Sequence, residues 1–347
     1  MNKLACFYTE SRVSNLLVSN FCLPKPQSVV DLGAGFGSLL NATMQRWTNV
    51  NIYAAEIDPK GCNLLSKNYP QIKLVRTNGL KLHKCTRFNV NPGSIDIAVC
   101  NPPYLRLTNN LNYDDLFKTA SLPACKSLRT LTSDIVFFAQ NLRLLREGGE
   151  LGIILPDSLI TGHEFAELRK NLLERHGVFG VIQMPDKLFY KTEARTHILL
   201  IRKGGCRNSN VPIYRADHSM KLSNALNIPL ESLHYRMDYD YWAWFTKSTL
   251  SIKNVSLGHL GADIRRGSVS RSKCENMGIP YFHTSDFPGS NHTGTKLYKN
   301  AKFNRMLTQV RQAKIVSLII ASDYGFRPSF FGTTSLSFSR YFNIFPT

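Results

Sequence analysis

The sequence predicts an α/β protein: a doubly wound, mostly parallel sheet of seven strands, followed by a smaller α+β domain. Three observations lead there. Apolar, strand-forming runs alternate with helix-forming runs through about residue 203, the order that builds a parallel sheet covered by helices on both faces. The first strand runs directly into a glycine-rich turn at Gly33, Gly35 and Gly37. Beyond Gly204–Gly205 the alternation ceases, and short apolar stretches separate turns instead. A chain of 347 residues is long enough to bury both cores.

Val13, Leu16 and Leu17 stand at helical spacing and predict a first helix over 10–21. "SVVDLG" is a short buried strand, and a helix through Leu39, Leu40 and Met44 follows its glycine turn. "NIYAAEID" is the second strand, with Pro59 suited to the first turn of the helix after it. "IKLVRT" and "IDIAVC" supply two more. Ser133 then caps a helix carrying Ile135, Val136, Phe138, Leu142 and Leu145, which stops at Gly148–Gly149. "ELGIILP" is the fifth strand, 164–174 a helix, "VFGVIQMP" the sixth strand and "THILLIRK" the seventh. The expected division is a first domain over 1–203, a linker and the start of a second domain over 204–257, and the body of that domain over 258–347.

Lys and Arg number 43 against 24 Asp and Glu, a net charge of +19. Such a surplus attracts polyanions, nucleic acid first among them, although many basic proteins are merely soluble. Lys and Arg outnumber Asp and Glu by 18 to 8 in 205–347. The eight cysteines (Cys6, Cys22, Cys62, Cys85, Cys100, Cys125, Cys206 and Cys274) include no C-x-x-C pair, so neither a zinc site nor a redox dithiol is indicated. They read as reduced thiols of a cytoplasmic protein. The start, "MNKLACFYTESR", has no apolar core for a secretory signal, and no stretch approaches the roughly 18–20 apolar residues that cross a bilayer. No membrane association is expected.

In open parallel sheets, ligands bind beyond the carboxyl ends of the strands. Asp31-Leu32-Gly33-Ala34-Gly35-Phe36-Gly37 lies at such an end, where glycines permit a tight turn and bring backbone N–H groups near a ligand. An ordinary strand–helix turn is the alternative reading of these glycines. Glu56, 25 residues past Asp31 at the end of the second strand, can hydrogen-bond a ribose, a logic that dinucleotide enzymes share. Asp31 argues against a pyrophosphate, which it would repel, and for a cationic or amino-bearing ligand. S-adenosylmethionine, with sulfonium and ammonium groups and no phosphate, fits better than NAD. Asn78, after the third strand, either meets the exocyclic amine of the cofactor adenine through its amide oxygen or belongs to an Asn-Gly turn.

"VCNPPYLRL" ends the fourth strand on Asn101-Pro102-Pro103-Tyr104. Neither proline has an N–H for a sheet ladder, so the strand must stop. The amine of adenine is a poor nucleophile because its lone pair is delocalised into the ring. Two acceptors, the Asn101 side-chain oxygen and the Pro102 carbonyl, can hold both amine hydrogens and restore a lone pair aimed at a methyl group. Proline rigidity fixes the carbonyl beforehand. Tyr104 then stacks on the base. A base within a duplex must be flipped out to reach such a pocket.

These residues resemble those of amino-methylating DNA methyltransferases, specifically the adenine-N6 group with Asn-Pro-Pro-Tyr, with motifs in the gamma order and the recognition domain last. Cys6-Phe7-Tyr8-Thr9 resembles the N-terminal cofactor motif. Asp31 to Gly37 resembles the glycine motif, Glu56 the ribose-binding acid, and Asn78-Gly79-Leu80 the adenine contact. "FFAQNLRLLREGGELGIILPDSL" is similar to the family's helix, Gly-Gly turn and strand. "MPDKLFYKTEARTHILLIRK" resembles the segment whose Phe, here Phe189, packs on the flipped base. The resemblance covers about 4–203. It implies a seven-stranded S-adenosylmethionine-dependent catalytic domain over 1–203, with Asn101, Pro102, Pro103 and Tyr104 catalytic and Tyr104 and Phe189 stacking on the base. The implied cofactor contacts are Tyr8, Thr9, Asp31, Gly33, Ala34, Gly35, Glu56, Ile57, Asn78 and Gly79. Double-stranded DNA is the implied partner, with a cognate restriction endonuclease as a functional one, in the cytoplasm and associated with the nucleoid.

"LGADIRRGSVSRSKCENMGIPYFHTSDF" looks like the opening of a target-recognition domain, with Arg265, Arg266, Arg271 and Lys273 as phosphate contacts. Two departures stand out. Glu10 replaces the family's usual Pro, which loosens a turn. Asn78 replaces the usual Asp, which weakens cofactor affinity or marks a decayed enzyme. The final stretch does not match what should follow, so the recognition domain is expected to be incomplete. Competing readings are a protein-glutamine or RNA-amine methyltransferase using the same tetrapeptide, and an inactive DNA-binding remnant.

Overall fold

The computed structural model of the chain describes residues 9–107, 112–128, 130–186, 188, 195–205 and 209–248, together with strands at 262–266, 316–318, 330–332 and 342–346. Two units divide the chain, Met1–Phe245 and Thr246–Thr347.

The first unit begins with α1 (Ser11–Ser19), then β1 (Ser28–Leu32), α2 (Ser38–Arg46), β2 (Asn51–Glu56), α3 (Pro59–Asn68), β3 (Lys73–Arg76) and β4 (Ile95–Cys100). It continues through α4 (Asp114–Thr119), α5 (Ser133–Leu144), β5 (Leu145–Pro156), α6 (Asp157–Thr161), α7 (Ala166–Arg175), β6 (His176–Gln183) and β7 (Thr196–Lys203). β8 (Asn210–Arg215), β9 (Leu226–Pro229) and α8 (Tyr239–Ser248) follow. Asp58 starts α3 by accepting the Gly61 N–H at 3.2 Å, with Pro59 in the first turn, where its missing N–H costs nothing.

All seven strands expected before residue 203 form, but the sheet is larger and less parallel than seven strands predicted. It has nine strands in the order β3-β2-β1-β4-β5-β7-β6-β8-β9. The half from β3 to β5 is parallel. β6 leaves a slot beside β5 that β7 fills, antiparallel to both neighbours. β8 then pairs parallel with β6, and β9 antiparallel with β8.

The stretch expected as a linker from 204 onward therefore supplies two strands of the first sheet. β8 buries only alternate residues, Val211 and Ile213, and β9 only Ile228. Such short, half-buried strands lack the continuous apolar run of the central ones. Arg169, fully buried on α7, ties this segment down by donating to the carbonyls of Leu159, Gly162, His234 and Tyr235. Gln183 and Asp240 exchange two further hydrogen bonds, of 2.8 and 3.1 Å.

Both faces of the sheet are covered. All six residues of β4 are buried. Ile97 and Val99 join α1 and α2 in one apolar cluster, while Ala98 and Cys100 join α5 in the other. α1 rests on β5 at Gly152, where a Cβ would come within 2.7 Å of Leu17 and 2.8 Å of Phe21. Burying a side chain such as Leu17 there contributes roughly 1.5–3 kcal/mol.

Two local expectations change. Ser133 is the first residue of α5 and not its cap; Thr132 occupies the cap position, with no side-chain bond to the backbone of the first turn. α5 also ends at Leu144, before the glycines, and Gly148–Gly149 lie inside β5 where its register to β4 shifts. Gly149 is hemmed in by the carbonyls of Ile95, Asp96 and Arg146, so the pair serves strand packing and not a helix stop.

In the second unit, β10 (Ala262–Arg266) pairs antiparallel with β13 (Phe342–Pro346), and β11 (Val316–Leu318) pairs antiparallel with β12 (Phe330–Gly332). Among the described residues of the whole chain, no helix is long and apolar enough to cross a membrane.

Candidate active site

β1 and β4 are parallel neighbours with Asp31 opposite Val99, so the turns that follow them emerge side by side. Those turns are Gly33–Gly37 and Asn101–Tyr104. Between them lies a cavity of about 370 Å³, lined by Thr9, Asp31, Gly33, Ala34, Gly35 and Asn101 among others. Gly33 and Gly35 adopt φ of +78° and +57°, which glycine takes without the penalty a Cβ brings. Gly33 and Ala34 both donate to the carbonyl of Ala55, at 2.7 and 3.2 Å, which folds the turn against β2.

Asp31 is 1% exposed, and among the described residues neither carboxylate oxygen has a hydrogen-bond partner. Burial, reinforced by the nearby Glu56 charge, pushes its carboxyl well above the ordinary range. A carboxylate left so is costly until a cation or ammonium approaches it.

Glu56 is the opposite case. Its Oε2 accepts the Gly35 N–H at 2.7 Å, and its Oε1 accepts those of Ile57 and Asp58, both at 2.8 Å. A carboxylate has about four acceptor sites, and three are engaged here. Contact with both hydroxyls of a ribose requires one of these backbone bonds to give way. The Asn78 amide oxygen accepts the Leu80 N–H at 3.0 Å and starts a short 3₁₀ helix at Gly79, the turn geometry of the two readings its sequence allowed. Gly79 and Gly33 both abut the ring of Phe137, which a Cβ at Gly79 would overlap and a Cβ at Gly33 would meet at 3.3 Å. Phe137 thus wedges beneath two turns of the site. Helical periodicity marks it only as a core residue.

The Asn101 Nδ2 donates to Thr9 Oγ1 at 2.9 Å. Its Oδ1 accepts from the Tyr104 hydroxyl at 3.3 Å, a proton the hydroxyl shares with the Ile154 carbonyl at 3.2 Å. Burial, with Asp134 and Cys100 beside it, holds the Tyr104 phenol well above its ordinary value, so the hydroxyl remains a donor. Thr9, expected among the cofactor contacts, therefore lines the cavity and also orients Asn101.

Tyr8, Phe189, Arg271 and Lys273 lie outside the described residues. Arg265 and Arg266 lie on β10 at the register positions of Asn343 and Phe342. Among the described residues, no three His, Cys, Asp or Glu side chains group to hold a metal.

A family model described as N-6 DNA Methylase matches residues 2–259. The chain is 27% identical over 237 residues to the type I restriction enzyme MpnII methylase subunit of Mycoplasma pneumoniae, covering 61% of this chain and 42% of that protein. It is 23% identical over 345 residues to the type II methyltransferase M.BsuBI of Bacillus subtilis, covering 86% and 66%. The solved methyltransferase subunit of a type I restriction-modification system from Streptococcus thermophilus shares the fold, with a TM-score of 0.51 at 22% identity, covering 72% of this chain and 55% of that one. The chain spans about two fifths to two thirds of the length of these curated relatives.

Proposed function

The chain belongs to the N-6 DNA methylase family, and from that premise we propose that it methylates the N6 amine of an adenine flipped out of duplex DNA, using S-adenosyl-L-methionine, within a restriction-modification system. The observation that carries this reading is a single cavity lined by both the Asn101 amide and a buried carboxylate, Asp31, that has no hydrogen-bond partner among the described residues. The pairing suits a cationic methyl donor on one wall and an amine acceptor on the other.

The donor, when bound, supplies an electrophilic methyl carbon on a sulfonium. Asp31 accepts its positive amino-acid end, which repairs the cost of the buried, unpaired carboxyl. Gly33, Ala34 and Gly35 line its cradle, and Glu56, Ile57, Asn78 and Gly79 flank the nucleoside, with Tyr8 and Thr9 completing the contacts. Asn101 Oδ1 and the Pro102 carbonyl accept the two hydrogens of the target amine, which localises the nitrogen lone pair. Because Pro102 and Pro103 are rigid, little reorganisation is needed as charge develops. Flipping the base costs roughly a few kcal/mol. Stacking on Tyr104 and Phe189, worth about 1–3 kcal/mol per base, offsets much of it.

The motif order of the gamma arrangement, with recognition by the second unit through Arg265, Arg266, Arg271 and Lys273, completes the proposal. A cognate endonuclease is its functional partner.

The test is transfer of labelled methyl from S-adenosylmethionine to duplex DNA, to RNA and to a peptide release factor, with the DNA digested to nucleosides. Label as N6-methyl-2′-deoxyadenosine, in the DNA alone, is expected. Label in protein or RNA only, or in none, refutes the reading. Asn101→Ala is expected to lower DNA methylation by about 10²-fold or more while S-adenosylmethionine binding changes little.

A further inference from the structure

The tetrapeptide Asn101–Tyr104 has an unusual weakness as a rigid element. Two of its four residues are prolines, so only Asn101 and Tyr104 carry backbone N–H groups to hold it in place. Its stiffness is internal, and its placement against the cavity has to come from elsewhere in the fold.

Ser133 supplies it. The serine is fully buried at the start of α5. Its hydroxyl donates to the Pro103 carbonyl and accepts the Leu105 N–H at 2.9 Å. Its own backbone N–H donates to the Leu105 carbonyl at 2.8 Å. Both hydrogen-bonding roles of the hydroxyl are thus spent on the backbone immediately after Pro102. The pairing continues outward, with Leu107 N–H on the Leu131 carbonyl at 2.9 Å and Arg106 bridged antiparallel to Thr132. Ser133 contributes its side chain to this short ladder's inner end, and that end is where the loop meets the site.

We propose that Ser133 is a positioning residue of the Asn-Pro-Pro-Tyr loop: its hydroxyl fixes the backbone that sets where the Pro102 carbonyl and the Asn101 amide stand relative to the reacting amine. This rests on the function proposed above. The serine touches neither the amine nor the methyl donor, and acts through backbone. Alanine at 133 leaves the Pro103 carbonyl and the Leu105 N–H without their partner, and the loop relaxes to satisfy them. A displacement of about 1 Å at reacting groups costs on the order of 10²-fold in rate. The expected loss is therefore about 10- to 100-fold in the methyl-transfer step, with DNA and cofactor affinity within about threefold of wild type.

The experiment compares wild type, Ser133→Ala and Ser133→Thr in the full chain. It measures single-turnover methyl transfer to duplex DNA, calorimetric binding of S-adenosylhomocysteine, and hydrogen exchange at the Leu105 amide. Ser133→Ala is expected to lose rate at nearly unchanged affinity and to exchange Leu105 at least tenfold faster; Ser133→Thr, which keeps the hydroxyl, restores most of the rate. A folded Ser133→Ala with wild-type rate and exchange overturns the proposal. So does a loss that appears only as weaker cofactor binding. If Ser133→Ala does not fold, Ser133→Cys fills the site with a weaker donor, and full turnover in that variant overturns the proposal equally. If wild type itself transfers no methyl to DNA, the function reading falls, and Leu105 exchange alone then decides whether the serine holds the loop.

Discussion

Replacing Gly152 by alanine tests how far the core controls the site. The new Cβ would stand 2.7 Å from Leu17 and 2.8 Å from Phe21, against ordinary contacts of 3.4–4 Å. A retreat of about 0.7 Å or more is required. Leu17 is 0% exposed, and Phe21 is 4% exposed with its ring 6.0 Å from that of Trp47, so neither can swing aside. α1 has to lift instead, at a cost of about 1–3 kcal/mol. Thr9 stands two residues before that helix, and its hydroxyl holds Asn101 at 2.9 Å. A lift of 0.7 Å stretches that contact to about 3.6 Å, beyond a hydrogen bond.

Gly152→Ala is therefore expected to lower the urea midpoint and to cut single-turnover methylation by about tenfold. Leu17→Ala alone costs about 2–5 kcal/mol. Combined with Gly152→Ala it removes the Leu17 part of the clash and leaves the Phe21 part, so the double variant should be at least about 1 kcal/mol more stable than the sum of the two predicts. Strict additivity, or a Gly152→Ala protein within 0.5 kcal/mol of wild type and fully active, refutes the reasoning (threshold at the scale of ordinary surface changes, about 0.5 kcal/mol).

Three further outcomes are expected. Asp31→Asn should stabilise the ligand-free protein at neutral pH and weaken S-adenosylmethionine binding. The folded carboxyl titrates above its unfolded counterpart, so its penalty is absent well below the unfolded value near 3.8, grows above it and is constant beyond the folded value. A variant less stable than wild type at pH 8, by urea titration, contradicts this. Asp96 has the opposite sign. Burial works against its charge, but bonds from Arg146, Gln27 and Ser28 outweigh it and hold the carboxyl below its ordinary value. Its contribution is present above the unfolded value and lost as pH falls through the folded one. Asp96→Asn should flatten the acid limb of a stability profile and cost about 2 kcal/mol at pH 7, partly discounted because Arg146 is exposed. Tyr104→Phe keeps the ring but loses the hydroxyl shared by Asn101 and Ile154, worth about 1 kcal/mol. Methylation should fall by about fivefold, and an unchanged rate would deny the hydroxyl any part in orienting Asn101.

Much of the fold was legible because the signals are local. Seven strands and the helices between them follow from apolar runs, glycines and Pro59, each acting within a few residues. β8 and β9 were not legible, since strands that bury two residues of six and one of four resemble loop. The glycine turn, Asp31, Glu56 and Asn101–Tyr104 could be picked out because a parallel sheet brings the carboxyl ends of its strands to one edge, and residue types there limit the chemistry. Partnership was not legible. Glu56 spends its oxygens on the Gly35, Ile57 and Asp58 amides, Asn78 turns its own backbone, and Ser133 reaches back to Pro103 and Leu105 instead of capping its helix.

By itself, then, the amino-acid order determined which segments become strands and which chemistry-bearing side chains lie at their ends, because backbone propensity and turn chemistry act over short range. Only the tertiary structure decided the slot taken by β7, the addition of β8 and β9 to the first sheet, and which polar group meets which. Those depend on contacts between residues tens of positions apart, such as Ser133 with Leu105 and Asn101 with Thr9, whose partners no local pattern specifies.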